Sequence, residues 1–355
     1  MRILTGLALA LATVSGPAWG QSEAAKGDPD PRYAVPATVS PEAAAILAPA
    51  YAGSAKQAQP AWVPPTAQDW IPLAAQVSAG MEPASLQQAQ AMGVVVAEGH
   101  AGPVPVVRVT PAGYKPRKRV LLYLHGGGYV LFSAKGTLVV PALMTKASGI
   151  EVVSIDYTLA PRGDWKSITD QVVIVYQAFL ANGYDARAIG VFGDSAGGGL
   201  AAGAVLKMRD KGLPLPGALY LLSPWSDITA TGDTYVTLGH SDPILDLRIL
   251  ASAAAAYAAP ADQKNPYVSP VYGDYSKPFP PTLIQGGTHE MFVSNIVRQY
   301  QAIAGGGHEA VLDLYEGMPH VFPALAPSAP ETTTAIGRAA AFFQRHLSVP
   351  QEQHP

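Results

Sequence analysis

From Val94 onward the chain alternates short runs of β-branched and aromatic residues with longer amphipathic segments, and this alternation is what most restricts its fold. Residues 94–97 and 104–109 read as two strands separated by turn residues. Strands then follow at 120–124, 151–156, 189–192, 218–222, 282–285 and 310–315. Between and after them lie helical segments at 136–147, 165–181, 196–211, 243–259, 290–304 and 328–346. Strands that each need a helix to return to the same edge lie parallel, and a parallel sheet is covered on both faces. The expected class is α/β, with a mostly parallel central sheet and helices on both faces. A length of 355 residues suits one large domain with a small appendage better than two equal domains.

Ahead of this region the chain reads differently. Arg2, an apolar stretch from Ile3 to Val14 and the small residues of Ala18-Trp19-Gly20 fit a signal peptide over 1–20, cleaved before Gln21. The stretch is short for a bilayer span. Export to the periplasm or the medium is the expectation, with no membrane span left in the mature chain. Residues 21–92 begin as a polar, proline-rich arm and continue as helical pieces punctuated by prolines. Ser40-Pro41-Glu42 is a good helix start, with a serine cap and proline at the first position. The main α/β domain is expected over 93–348.

Composition excludes some chemistry. The chain has no cysteine, so it can form no disulfide, thiol nucleophile or cysteine-ligated metal site. A net charge of −3 offers no basic field for nucleic acid. No His-x-x-x-His pair or carboxylate cluster suggests a metal, and no cofactor is expected.

The sharpest local motif is Gly193-Asp194-Ser195-Ala196-Gly197, between the strand at 189–192 and the helix that follows. A G-x-S-x-G turn in that setting lifts its serine clear of the sheet's C-terminal edge, and small flanking residues let strand and helix approach. The bland reading of the same serine is a helix cap. His125-Gly126-Gly127-Gly128 directly follows the strand at 120–124. Such a run can turn backbone N–H groups toward a developing oxyanion. Neither a following Lys-Ser/Thr nor G-x-G-x-x-G spacing is present, so a phosphate loop does not fit. His125 reads as an orienting residue because it precedes the loop it would have to reach across.

A base is expected late in the chain. Of His289, His308, His320, His346 and His354, only His320 follows the last strand on a loop at the C-terminal sheet edge. The acid is expected after the strand at 282–285, where Glu290 is the one carboxylate before the helix. Asp227 is the fallback and Glu316 the third candidate.

Together these segments resemble the bacterial hormone-sensitive-lipase-like esterases, a family with the α/β-hydrolase fold. The resemblance covers roughly 94–322. It rests on the glycine loop and serine turn just quoted, with Gly198, and on Asp156-Tyr157-Thr158-Leu159-Ala160-Pro161, Ser223-Pro224-Trp225-Ser226-Asp227, Asn265-Pro266-Tyr267-Val268-Ser269-Pro270 and Gly317-Met318-Pro319-His320. It implies Ser195 as nucleophile, His320 as base, and the N–H groups of Gly127, Gly128 and Ala196 as oxyanion donors. His125, Gly126 and Asp194 would support them. Many members place the acid in an Asp-Pro-Leu motif that is missing here, which favours the Glu290 branch. A small helical cap is implied over about 30–90 and 225–262. Two departures are Arg162-Gly163-Asp164-Trp165-Lys166-Ser167 in place of Glu-His-Pro-Phe-Pro-Ala, and Ser294 where an acidic residue is frequent. The implied activity is hydrolysis of small carboxylic esters, lactones included, through an acyl-enzyme. A peptidase-like hydrolase and an inactive scaffold reused for binding are the competing readings. The inactive scaffold is disfavoured because every site residue is present.

Overall fold

A computed structural model describes residues 34–55 and 62–348. The expected signal peptide and most of the arm after it lie outside these residues. Two helices come first, α1 (Pro41–Ala55) and α2 (Trp70–Ala91). The elements that follow are β1 (Val94–Ala101), β2 (Val104–Pro111), β3 (Val120–Leu124), α3 (Val139–Ser148), β4 (Glu151–Ile155), α4 (Trp165–Ala181) and β5 (Ile189–Asp194). The chain continues through α5 (Ala196–Asp210), β6 (Ala218–Leu222), α6 (Leu247–Tyr257), β7 (Thr282–Gly287), α7 (Val293–Gly305), β8 (Ala310–Tyr315) and α8 (Pro330–His346).

The strands form one sheet in the order β1-β2-β4-β3-β5-β6-β7-β8. Only β1–β2 and β2–β4 pair antiparallel. Gly102-Pro103 joins β1 to β2, and so short a link permits only an antiparallel neighbour. The other pairs are parallel, each reached through a helix.

The pleat sends alternate residues to opposite faces, and both faces are apolar. Val120, Leu122 and Leu124 of β3 pack with α4, α5 and α7, whereas Leu121 and Tyr123 pack with α3 and α8. Strand β6 divides the same way, with Leu219 and Leu221 on the first face and Tyr220 and Leu222 on the second.

Three helices begin three or four residues later than the sequence pattern predicts, and a polar side chain explains each. The Ser133 hydroxyl accepts the Gly136 N–H at 3.1 Å in a turn, and α3 starts only at Val139. Asp242 and Asp246 hold successive turns before Leu247, so α6 is shorter than 243–259. Glu290 folds back onto the Gly287 N–H at 2.8 Å, and α7 starts after it, at Val293.

The front helices pack onto this frame. Ala43, Leu47 and Tyr51 recur every fourth residue, which makes one face of α1, and with Val39 just before the helix they bury against Tyr315, Met318 and Phe322. Helix α2 runs through Pro83 and buries Trp70, Ala74 and Val77; the Trp70 indole N–H donates to the Ser252 hydroxyl on α6 at 3.2 Å. The register then decides what meets at the C-terminal edge. Leu124 pairs with Gly193, Asp194 with Leu222, and Gly287 with Tyr315. The glycine loop, the serine turn and the loops after β6, β7 and β8 therefore open side by side.

Candidate active site

Ser195 stands at the tip of the turn between β5 and α5, with φ 54° and ψ −125°. A side chain seldom accepts a positive φ, and the surrounding packing imposes it. A Cβ on Gly193 would lie 2.3 Å from the Gly197 carbonyl oxygen, and one on Gly197 would lie 2.0 Å from that of Leu124. The glycines thus let β5, α5 and the end of β3 touch through their backbones. The Ser195 N–H donates to Leu222 at 2.9 Å, and its carbonyl accepts from Trp225 at 2.8 Å. Beside it, the Tyr123 hydroxyl donates to the Asp194 carboxylate, whose pKa burial pushes up to about 6.

The glycine loop lies against this turn. The Cβ direction of Gly126 points to within 3.0 Å of the Ser195 Cβ. Gly127 has φ 105° and Gly128 φ 63°, and the Gly127 carbonyl accepts from Val130 and Leu131, which folds the loop back on itself. Ala196 opens α5, where the first N–H groups have no partner within the helix. His125 is buried and stacked on Tyr157, with centroids 4.2 Å apart; its Nδ1–H donates to the Gly126 carbonyl at 2.8 Å. Burial lowers its pKa, which keeps it neutral. It is a wall of the loop and does not reach Ser195.

His320 does reach Ser195. Its Nε2 lies 2.9 Å from Ser195 Oγ, and its Nδ1 2.6 Å from Glu290 Oε2. The other carboxylate oxygen of Glu290 accepts the Ser223 hydroxyl at 2.7 Å and the Gly287 N–H at 2.8 Å. Ser223 Oγ also accepts the Val321 N–H at 3.1 Å, so one hydroxyl joins the acid to the residue after His320. The loops after β7 and β8 are knitted further by His289 N–H to the Met318 carbonyl at 3.0 Å. Phe292 meets the His320 ring edge-on, with centroids 5.0 Å apart. This arrangement gives a hydroxyl a proton acceptor and fixes the acceptor's tautomer through a buried carboxylate.

Of the three acid candidates, only Glu290 meets His320. The Asp227 carboxylate binds Arg298 at 2.8 Å, the Tyr272 hydroxyl at 2.8 Å and the Thr229 N–H at 2.9 Å. Glu316 takes the Thr38 hydroxyl. His308 faces the Tyr275 and Lys277 carbonyls, and His346 lies 3.2 Å from Glu309. Of the two departures, Asp164 caps α4 and Ser294 donates to Asp233 at 2.7 Å. Ser223 is the site residue that reading the sequence missed. Its place directly after a central strand was the available signal. Among the described residues no cluster of three or more His, Asp or Glu could hold a metal ion, and no helix is long and apolar enough to cross a membrane.

Residues 121–324 match the sequence profile of a family described by its α/β-hydrolase fold. The chain belongs to that family. This family member is 33% identical over 226 residues to the acetyl-hydrolase of Streptomyces hygroscopicus, covering 64% of this chain and 75% of that one. Its fold is similar to the crystal structure of esterase E25, with TM-score 0.79, 29% identity, and coverage of 94% of this chain and 99% of that one. An esterase of the bacterial hormone-sensitive lipase family superposes with TM-score 0.74 at 30% identity, over 87% of this chain and 99% of the other. Within the α/β-hydrolase family this chain is accordingly of the bacterial hormone-sensitive-lipase type, a carboxylic ester hydrolase.

Proposed function

We propose that this esterase hydrolyses small carboxylic esters, lactones included, with Ser195 as nucleophile, His320 as general base and acid, and Glu290 as the carboxylate that orients His320. The observation that carries the reading is the unbroken line from Ser195 Oγ through the His320 ring to Glu290, at 2.9 and 2.6 Å. His320 takes the hydroxyl proton as Ser195 Oγ bonds to the ester carbonyl carbon. The N–H groups of Gly127, Gly128 and Ala196 receive the resulting oxyanion, each contributing about 3–4 kcal/mol. The imidazolium, balanced by Glu290, then protonates the leaving alcohol as the C–O bond breaks. Water repeats the sequence on the acyl-enzyme, releasing the acid and restoring Ser195.

Preference for short acyl groups is supported by what fills the space beside the glycine loop. A Cβ on Gly128 would lie 3.3 Å from the Ala253 Cβ on α6. Tyr129 stacks on Tyr257 at 3.7 Å and on Trp225 at 5.8 Å, and all three rings are buried. Segment 225–262 supplies Trp225, Ala253 and Tyr257 to this cover and fits the role of a cap, as does α2, whose Trp70 reaches Ser252 on α6. We also propose that residues 1–20 direct export and are removed before Gln21; a mature exported chain beginning at Met1 would refute this.

Ser195→Ala tests the chemistry. Hydrolysis of a short-chain nitrophenyl ester should fall by roughly 10⁴-fold or more while the thermal transition is kept. Retention of most activity sinks the assignment. A panel of acyl lengths and lactones on the wild type then reads the substrate range.

A further inference from the structure

We propose that Asp242, on the segment joining β6 to α6, is a positioning residue for hydrolysis: its buried carboxylate holds the loop that presents Glu290 to His320. The proposal rests on the reading of Glu290 as the acid of the site.

The geometry is specific to that loop. Asp242 Oδ2 accepts the N–H of Met291 at 2.8 Å. The neighbouring Ser241 carbonyl lies 3.2 Å from His289 Nε2. The two residues that flank Glu290 are thus both gripped by one dipeptide, from nearly fifty positions earlier in the chain (|i−j| = 49 for Met291). The other oxygen, Oδ1, accepts the N–H groups of Ile244 at 2.8 Å and Leu245 at 2.9 Å, so its own turn is closed separately. One oxygen serves the local turn, and the other serves the acid's loop. A residue needed only to cap its own turn has no use for the second contact.

Ionisation matters to this grip. A carboxylate accepts on both oxygens, whereas a protonated Oδ2 confronts the Met291 N–H with a second donor. Burial pushes the Asp242 carboxyl up to about 6, opposed by its backbone donors and by the charge of His320. The ionisable groups around it are His320 on the loop after β8, Glu290 and His289 on the loop after β7, Tyr51 on α1 and, on its own segment, the exposed His240. The ionised form also places negative charge near the imidazolium that forms during turnover. Grip and charge are both lost as Asp242 takes up a proton.

The test is Asp242→Asn in the full chain, with active sites counted by a fluorophosphonate that labels Ser195. At pH 8, kcat per active site should fall about tenfold, the scale of losing a charged hydrogen-bond acceptor, with KM within about twofold. The wild-type-to-variant ratio should shrink toward one as pH is lowered through about 6, because the wild type itself then loses the charge. Asp242→Glu keeps a titrating carboxylate and should keep a pH inflection that the asparagine variant lacks; it carries the test if the asparagine variant does not fold. Combined with Glu290→Gln, Asp242→Asn should add less than about twofold, since it acts through Glu290. A ratio of one throughout, a ratio that does not change with pH, or losses that multiply in the double variant overturns the proposal. Full activity in Glu290→Gln alone would instead overturn the reading of the acid, and this proposal with it.

Discussion

The Ser195 turn and the Glu290 loop open at the same sheet edge, yet they are held by opposite means. At Ser195 the constraint is the absence of side chains. Gly193 and Gly197 let three backbone segments meet at distances that a Cβ would forbid. At Glu290 the constraint is made of side chains and loop backbone from elsewhere: Ser223 after β6, Asp242 before α6 and Met318 after β8. The first device is written into five consecutive residues. The second exists only once the sheet has brought distant loops together. The serine turn should therefore fail completely when broken, and the acid loop should fail in steps.

The largest effect is expected from Gly197→Ala. Its new methyl would sit 2.0 Å from the Leu124 carbonyl oxygen and 2.5 Å from that of His125, with only backbone to yield. We expect more than about 4 kcal/mol of destabilisation, or no folded protein, measured by denaturant unfolding and yield. Ordinary stability with full activity would show that the turn is not packed as described.

Glu290→Gln comes next. It keeps size and burial but removes the charge that balances His320, so kcat should drop by roughly 10³–10⁴-fold with little change in melting. Asp227→Asn is its control. That carboxylate is tied to Arg298 and Tyr272, so its loss should lower stability by about 3 kcal/mol and leave kcat within a few-fold. The reverse pattern in the two variants would exchange their roles.

Ser223→Ala should act more mildly, because Glu290 keeps the Gly287 N–H and His320. A fall in kcat of about tenfold is expected from steady-state kinetics. The smallest effect concerns Asp194. Its carboxyl is raised to about 6 in the folded state, above the ordinary value of about 3.9, so the folded chain binds that proton more tightly. Stability from this group therefore rises as pH falls from 7 to 5. Relative to Asp194→Asn, the wild type should gain on the order of 1 kcal/mol over that window, read from unfolding curves at each pH. A constant difference would contradict the buried, titrating carboxylate.

The same contrast explains what could be read in the sequence. Strand and helix order was legible because burial on two faces leaves its mark on each segment separately. Ser195 and the glycine loop were legible because their geometry demands particular residues at neighbouring positions. His320 followed from its place after the last strand. Glu290 could be proposed as the one carboxylate in its segment, but not distinguished from Asp227 by spacing. Neither Ser223 nor Asp242 could be tied to the acid by reading the sequence. Each meets Glu290's loop only across a long stretch of chain, 67 positions in the case of Ser223 and Glu290. Where polar turns delay α3, α6 and α7, apolar periodicity extends past the true helix starts, because it does not register a side chain capping the backbone.

Helix α1 adds a consequence of a different kind. Its Tyr51 hydroxyl donates to the Gly317 carbonyl at 2.7 Å, and Ser40 binds the Glu331 carboxylate on α8 through its N–H and its hydroxyl, both at 2.8 Å. Gly317 leads directly into the Gly317-Met318-Pro319-His320 segment. The stretch that matches the family's sequence profile begins only at residue 121, so it leaves this helix out. Trimming the protein to that stretch, or grafting a relative's front end onto it, would not exchange an independent module. The joint would pass through the support of the His320 loop itself, and protein engineers recombining such enzymes would see turnover change where they meant to change only substrate choice.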